Sequence, residues 1–258
     1  MSRKTLRLLD VTIDNLTKAQ ALDQATSFLH TQTFHHIVTV GPEFLLEASA
    51  HPAFCNILNR ADLSLAEGMG IHIGAGMTGQ KLRQRIPGVD FVLDLMSIAA
   101  KEQKKVFLFG GQPEHIVERA AEQLVHEYPG LSVVGIEAGA RGSWTKLQDQ
   151  RIVERIHMAQ PDILLVAMGA PKQELWIDKH RAALHNVSIA IGVGRTFEYL
   201  AGTIKRAPKF VRSAGFEWLH TYLTAAKYYQ PQFRRRRVTN ATYRFVIELM
   251  NYSRTPRV

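Results

Sequence analysis

The chain has 258 residues, of which 46% are hydrophobic and 21% are charged, and this balance is ordinary for a globular protein with a full core. The single cysteine, Cys55, excludes an internal disulfide framework and indicates a reducing compartment. No apolar run approaches the roughly 20 residues of a membrane span, and the first residues lack a signal-peptide pattern, so we expect a cytoplasmic protein.

The net charge of +9 is unevenly distributed along the chain. Residues 203–258, called the basic tail below, contain 12 lysines or arginines and two acids, whereas residues 1–202 contain 20 basic and 21 acidic side chains. A near-neutral body with a basic, aromatic-rich tail indicates an anionic partner for the tail alone.

Strand-like and helix-like segments alternate through the body, which predicts parallel βαβ units. The predicted strands lie at residues 6–13, 36–40, 62–65, 105–109, 131–136, 162–168 and 187–192. The predicted helices lie at residues 17–29, from 43 onward, 89–103, from the GGQPE loop to 128, and 147–159. We therefore predict an α/β fold with a Rossmann-like, mostly parallel sheet flanked by helices.

The strand pattern stops after residues 206–208, and two helical stretches follow, separated by a break at residues 230–231. One face of the first stretch carries Phe216, Leu219, Leu223 and Ala226, and one face of the second carries Val238, Ala241, Phe245 and Leu249. We predict a core at residues 1–202 and a small basic helical C-terminal appendage at residues 203–258.

The segment GAPKQELW follows a buried strand and opens a helix. In an open α/β sheet, ligands bind beyond the carboxyl ends of the strands. Gly169 lets the backbone approach a ligand, and Lys172 and Gln173 lie in a helical turn whose free N–H groups attract an anion. An ordinary capped helix with a solvated first turn explains the same pattern.

Two further loops carry candidate site residues. The segment GVGRTFEYLAG contains Gly192 and Gly194 but lacks the third glycine of a dinucleotide fingerprint, so it is equally typical of a tight strand-to-helix turn. The segment SLAEGMGI places Glu67 before Gly68 in a glycine-rich turn, where a carboxylate is a candidate general base. The alternative to a catalytic role is that Glu67 is simply an acidic residue at a helix N-terminus, where the helix dipole favours negative charge.

Together with IVTVGPEFLLEA and RIPGVD, these segments resemble the WecG/TagA/CpsF glycosyltransferases (glycosyltransferase family 26), which build bacterial cell-surface polymers. The resemblance extends from about residue 6 to residue 219. It implies an inverting transferase that moves a hexose or N-acetylmannosamine-type sugar from a UDP-sugar to a polyprenyl-diphosphate-linked acceptor, in cell-surface polysaccharide or teichoic acid biosynthesis. No metal or other cofactor is expected, because the histidines form no HExxH or Cys/His array.

The resemblance also implies roles for individual residues. Glu67 stands where the family usually has an aspartate proposed as the base, and Arg85 of RIPGVD is a candidate to bind the donor diphosphate through its guanidinium. We therefore predict Glu67 and Arg85 as catalytic. Thr39 matches the family, whereas Gly41 stands where an asparagine is usual, so that side-chain contact is missing or replaced. The full set of predicted substrate-binding residues is Thr39, Gly41, Gly68, Asp90, Gly169, Lys172, Gln173, Gly192, Gly194, Glu198, Arg206 and Arg212.

The basic tail is expected to dock on the anionic inner face of the cell membrane, with its arginines also reaching the diphosphates. The oligomeric state is left open, a homo-oligomer included. Two other functions compete with the transferase. A nucleic-acid-binding protein would explain the basic tail with its interleaved tyrosines but would leave the motifs of the body unused. An NAD-dependent Rossmann oxidoreductase has only fold analogy in its favour.

Overall fold

A computed structural model describes residues 4–139, 145–213, 217, 220 and 244–252. The strands in these residues are β1 (Thr5–Leu8), β2 (Val11–Asp14), β3 (His35–Val40), β4 (Leu63–Ala66), β5 (Lys105–Gly110), β6 (Ser132–Glu137), β7 (Ile163–Ala167) and β8 (Ile189–Gly192). The helices are α1 (Lys18–Leu29), α2 (Pro42–Ala50), α3 (Pro52–Asn59), α4 (Met69–Met77), α5 (Gly88–Lys101), α6 (His115–Glu127), α7 (Lys146–Ala159), α8 (Lys172–His180), α9 (Thr196–Leu200) and α10 (Lys209–Ser213).

Strands β3 to β8 form one parallel sheet in the order β4-β3-β8-β7-β5-β6. Helices α1, α5, α6 and α9 pack on the face to which Leu165 and Ile191 point. Helices α7 and α8 pack on the opposite face against Val166 and Ala190, and α2, α3 and α4 extend that layer over β3 and β4. Because β7 and β8 are covered on both faces, their residues are apolar without interruption apart from the terminal glycine of β8. The predicted Rossmann-like α/β fold is confirmed.

The prediction of one strand over residues 6–13 is wrong. Strands β1 and β2 form an antiparallel hairpin, with Leu6 opposite Ile13 and Leu8 opposite Val11. The turn residues Leu9 and Asp10 have φ angles of +46° and +64°, the sign that a tight two-residue hairpin turn requires. Glycine and asparagine usually mark such a turn, and neither is present at these two positions. The helix predicted from residue 43 onward is two helices, α2 and α3, and α4 lies where no helix was predicted.

The carboxyl ends of β3 and β8 lie side by side, because these two strands are neighbours in the sheet. The chain leaves β3 toward α2 on one face and leaves β8 toward α9 on the other. Such a reversal opens a crevice beyond the strand ends, where α/β proteins bind ligands. The loops after β3, β4, β7 and β8 therefore border one crevice.

The described parts of the basic tail pack against the body. Ala207 is buried beside the body, and residues 244–252 are helical. Phe245 and Leu249 are buried among residues of the hairpin and α4, and a Cβ built on Gly74 would lie 3.1 Å from Phe245 and 3.0 Å from Leu249. The division at residue 202 remains a prediction, and Phe216, Leu219, Leu223, Ala226, Val238 and Ala241 lie outside the described residues.

Candidate active site at the carboxyl ends of the strands

Glu67 is the first residue after β4, and its position is fixed by hydrogen bonds from its backbone and its side chain to two neighbouring elements. Its N–H donates to the Val40 oxygen at 2.8 Å, and its Oε1 accepts from the Gly88 N–H at 3.0 Å, at the start of α5. A Cβ on Gly88 would lie 3.1 Å from Thr39 Cγ2 and 3.2 Å from Glu67 Oε2. The side chains of Thr39 and Glu67 thus meet over a residue that must be small.

The environment of Glu67 is suited to proton transfer near neutral pH. Burial raises the pKa of the Glu67 carboxyl to about 7, although hydrogen bonds from the Gly88 N–H and the Thr39 hydroxyl oppose that rise. The negative charges of Glu43 and Glu217 act in the same direction as burial. A carboxyl that titrates close to pH 7 is a well-matched general base, since it is available in its ionised form without being a weak proton acceptor.

Gly41 is the N-cap of α2, and because it has no side chain it cannot cap the helix as an asparagine would. A Cβ at this position would lie 3.3 Å from Oε2 of Glu43 and 3.8 Å from the backbone oxygen of Glu67. The volume that an asparagine side chain would enter is therefore bordered by the exposed Glu43 carboxylate. In this chain a charged group borders the place where the resemblance implied a neutral amide.

Three arginines, Arg85, Arg206 and Arg212, come together at the first turn of α5 and are called the arginine cluster below. Nη1 of Arg206 and Nη1 of Arg212 donate to the same oxygen of Asp90, at 2.8 and 3.0 Å. Arg85 donates to the backbone oxygen of Arg212, and Arg206 pairs with Glu217 at 3.4 Å. The structure thus brings Arg85, Asp90, Arg206 and Arg212 together, and their roles in binding and catalysis stay predictions.

Two N–H donors of the arginine cluster have no acceptor among the described residues. Nη2 of Arg206 and Nε of Arg212 are buried with no hydrogen-bond partner among the described residues. An unpaired buried donor is costly, and guanidinium groups pair well with phosphate oxygens. Asp90 lies two residues after Gly88, which binds Glu67, and Glu217 both pairs with Arg206 and acts on the Glu67 charge. The spare donors and the candidate base therefore belong to one site.

The loops after β7 and β8 are joined by a single side chain. Gln173 is 2% exposed, and its Oε1 accepts from the Gly169 N–H at 3.0 Å and from the Gly194 N–H at 3.1 Å. Both glycines have positive φ angles, +73° and +51°, and a Cβ on either would meet no atom within 4 Å. Their open side leaves the backbone accessible, while the Gln173 amide is engaged inside the protein.

Glu174 is a site residue that the sequence reasoning missed. It is completely buried, and its Oε1 accepts from Gln173 Nε2 at 2.7 Å. Burial raises the pKa of the Glu174 carboxyl to about 8. Gly192 makes room for both side chains, because a Cβ there would lie 2.3 Å from Gln173 Nε2 and 2.4 Å from Glu174 Oε1. The one available signal was the glycine at the end of β8.

The remaining predicted residues lie around the same crevice. Lys172 is exposed at the first position of α8, and Gly68 takes a φ of +85° at the start of α4. Burial raises the pKa of the Glu198 carboxyl in α9, whose Oε2 has no partner in the described part of the chain. Within residues 4–139, 145–213, 217, 220 and 244–252, no group of three His, Cys, Asp or Glu side chains could hold a metal ion.

Comparison with known proteins shows the family of this chain. The profile of the family described as "Glycosyl transferase WecG/TagA/CpsF family" matches residues 6–257. The chain belongs to this family. It is a glycosyltransferase, and the family membership disfavours the nucleic-acid-binding and oxidoreductase alternatives. Among the described helices, none is long and apolar enough to cross a membrane.

Similar proteins of known name include two from Staphylococcus aureus. The protein of strain NCTC 8325 / PS 47, named N-acetylglucosaminyldiphosphoundecaprenol N-acetyl-beta-D-mannosaminyltransferase, is 34% identical over 218 residues, which are 84% of this chain and 83% of the relative. The protein of strain MRSA252 has the same name and is 33% identical over the same shares of the two chains.

Proposed function

We propose that this protein transfers a sugar of hexose or N-acetylmannosamine type from a UDP-sugar to an acceptor sugar on a polyprenyl diphosphate, with inversion at the anomeric carbon. The observation that carries the proposal is the partly buried Glu67 carboxyl, with its pKa near 7, beside an arginine cluster with unpaired N–H groups. A proton acceptor next to a site for an anionic leaving group is the arrangement that this transfer needs.

In the proposed step, an acceptor hydroxyl oxygen attacks the anomeric carbon of the donor while its proton passes to Glu67. The bond from the anomeric carbon to the diphosphate oxygen breaks, and the electron pair leaves with UDP. Attack on the face opposite the leaving group inverts the configuration. The arginine cluster stabilises the negative charge that grows on the diphosphate, and this stabilisation is strongest where water is excluded.

The open glycine loops and the start of α8 are the proposed cradle for the nucleotide. Gly169 and Gly194 leave the backbone accessible, and Lys172 places a positive charge at the same helix start. The helix N-terminus adds free N–H groups and the positive end of the helix dipole. No divalent metal is included in this proposal, because the arginines supply the positive charge.

The acceptor is proposed from the relatives, whose name includes a diphosphoundecaprenol-linked N-acetylglucosamine. An acceptor of that kind stays in the bilayer, so the enzyme must reach the membrane. The basic tail, with 12 basic residues and two acids, is proposed to bind the anionic cytoplasmic leaflet. The whole protein is proposed to act in cell-surface polysaccharide synthesis.

A panel of nucleotide sugars tests the donor assignment. UDP, UDP-N-acetylmannosamine, UDP-N-acetylglucosamine and UDP-glucose are each titrated into the full chain while the melting temperature is followed, with NAD as the control ligand. We expect UDP and at least one UDP-sugar to raise the melting temperature, since a ligand that binds only the folded state stabilises it. A rise with NAD and none with UDP would reject the proposal.

A further inference from the structure

Two consecutive polar side chains, Gln173 and Glu174, lie under the crevice where no solvent reaches them. They are 2% and 0% exposed, although both stand in the first turn of α8, where polar residues usually face water. Both side chains occupy the space left by the missing Cβ of Gly192. Burying polar groups is costly unless they are bonded, so the hydrogen bonds that this pair makes are what allow it to lie there.

The hydrogen bonds of the pair fix the amide of Gln173 in one orientation. Its oxygen accepts two backbone N–H groups, from Gly169 and Gly194, and its nitrogen donates to Glu174 Oε1. A flipped amide would direct an NH2 group at two N–H donors and an oxygen at the Glu174 acceptor. The Glu174 acceptor and the two loop N–H groups therefore favour the same orientation, in which the nitrogen faces Glu174 and the oxygen faces the two loops.

We propose that Glu174 is a positioning residue, which holds the Gln173 amide so that its oxygen bridges the loops after β7 and β8. These are the loops proposed above to cradle the nucleotide. The consequence for donor binding therefore rests on the proposed function, whereas the consequence for the two loop amides does not.

The chemistry of this role requires an acceptor atom and not a negative charge. Burial and the charge of Glu67 raise the pKa of Glu174 to about 8, so at neutral pH the carboxyl is largely protonated and its carbonyl oxygen still accepts from Gln173. Oε2 of Glu174 has no partner among the described residues, and the bond to Gln173 is the one through which the carboxyl acts on the neighbouring amide. Glutamine at position 174 keeps an acceptor of the same shape, whereas methionine keeps the length and loses it.

The first test is hydrogen exchange at the amides of Gly169 and Gly194, followed by NMR on full-length protein labelled with 15N-glycine. Both amides are expected to be protected in the wild type and in Glu174→Gln, and to exchange at least about tenfold faster in Glu174→Met. Ile177→Ala is the matched control. It removes a buried side chain from the same helix, so it destabilises the protein without touching the loop bonds.

The second test is the affinity for UDP, measured by calorimetry on the same proteins. Glu174→Met is expected to weaken UDP binding by about tenfold, which is the loss of one loop-ordering bond worth about 1.4 kcal/mol, while Glu174→Gln stays within about threefold. A larger KM for the donor with a smaller change in kcat should accompany the loss, since the chemical groups at Glu67 are untouched.

The outcomes distinguish a failure of the proposed function from a failure of the positioning role of Glu174. If the wild type binds no UDP, the proposed function fails while the exchange experiment still tests the positioning role. If the wild type binds UDP and Glu174→Met keeps both the protection and the affinity, the positioning role is refuted. Equal losses in Glu174→Gln and Glu174→Met also refute it, because the acceptor then does not matter. If Glu174→Met does not fold, Gly192→Ala displaces the same pair from the side of β8 and must expose the same two amides.

Discussion

Replacing Glu67 with glutamine should have opposite effects on activity and on stability. The carboxyl is proposed to accept the acceptor proton, and glutamine keeps the shape and the hydrogen bond from Gly88 but cannot take up a proton. A positioned general base typically contributes 10²–10⁴-fold, so we expect turnover to fall by about that factor, while UDP affinity changes little.

The stability change follows from the pKa of Glu67, which burial raises from 4.5 to about 7. Because the folded state holds the proton more tightly, the carboxyl stabilises the fold at pH below about 4.5, and this contribution is lost as the pH rises through 7. Each pKa unit corresponds to about 1.4 kcal/mol, so the charged carboxyl costs the fold up to about 3 kcal/mol at pH 8. Removing the charge in Glu67→Gln should recover about 1–3 kcal/mol of that cost at pH 8 and almost none at pH 4.5.

The assay combines initial rates of sugar transfer with thermal melts at several pH values. In the wild type, kcat/KM is expected to fall about tenfold per pH unit below pH 7 and to level off above it. Glu43→Gln is the informative companion variant: it removes a charge that raises the pKa of Glu67, so the decline should move to lower pH. Turnover of Glu67→Gln within threefold of the wild type, or a melting temperature at pH 8 below that of the wild type, would refute the reasoning.

Three further outcomes are expected. Arg206→Ala should weaken UDP binding by about tenfold or more and leave Asp90 with one arginine partner fewer, and an unchanged titration would remove Arg206 from the donor site. UDP should bind equally with and without a chelator, and loss of binding on chelation would show that a metal is required. Replacing the run at residues 234–237 with glutamine should reduce pelleting with anionic vesicles at low salt, at about 1 kcal/mol per basic residue near the surface, whereas equal pelleting would reject membrane docking through the tail.

Changing those four residues in the full chain is a cleaner experiment than removing the tail. Phe245 and Leu249 are buried against the hairpin and α4, so a chain cut near residue 202 loses part of its core along with its charge. Loss of vesicle binding by such a fragment would not distinguish membrane contact from partial unfolding. The substitutions at residues 234–237 leave both buried side chains in place.

The sheet could be predicted from the sequence because its strands carry a strong signal. The runs ILLVA in β7 and IAI in β8 are apolar on both faces, and this pattern is typical of strands covered by helices on each side. Helix α4 gave no such signal. Its sequence, MGIHIGAGM, contains three glycines, which are poor helix formers, and Gly74 is required there because Phe245 and Leu249 of the tail pack directly onto it. Contacts between residues 171 and 175 positions apart are not visible in local propensity.

The site was predictable where a residue's role depends on its place at a strand end. Glu67 lies at the crevice because the loop that follows a parallel strand opens at that edge of the sheet, whereas Asp90 stands in the first turn of α5, and the roles of both residues stay predictions. Gln173 and Glu174 could not be interpreted in the same way. Two polar residues in a first helical turn normally face water, and here they turn inward because Gly192 leaves a space that any side chain would fill.

The charges of Glu67, Glu174 and the donor diphosphate affect one another within the site. Glu67 must ionise to accept a proton, and the diphosphate brings further negative charge into the same crevice. A second ionised carboxyl at Glu174 would repel both. Burial and the charge of Glu67 together raise the pKa of Glu174 to about 8, so at neutral pH the Glu174 carboxyl is mostly protonated and adds little negative charge. Glu174 can therefore hold the Gln173 amide without opposing the donor, and the burial that makes this residue costly to fold is what makes it compatible with an anionic substrate.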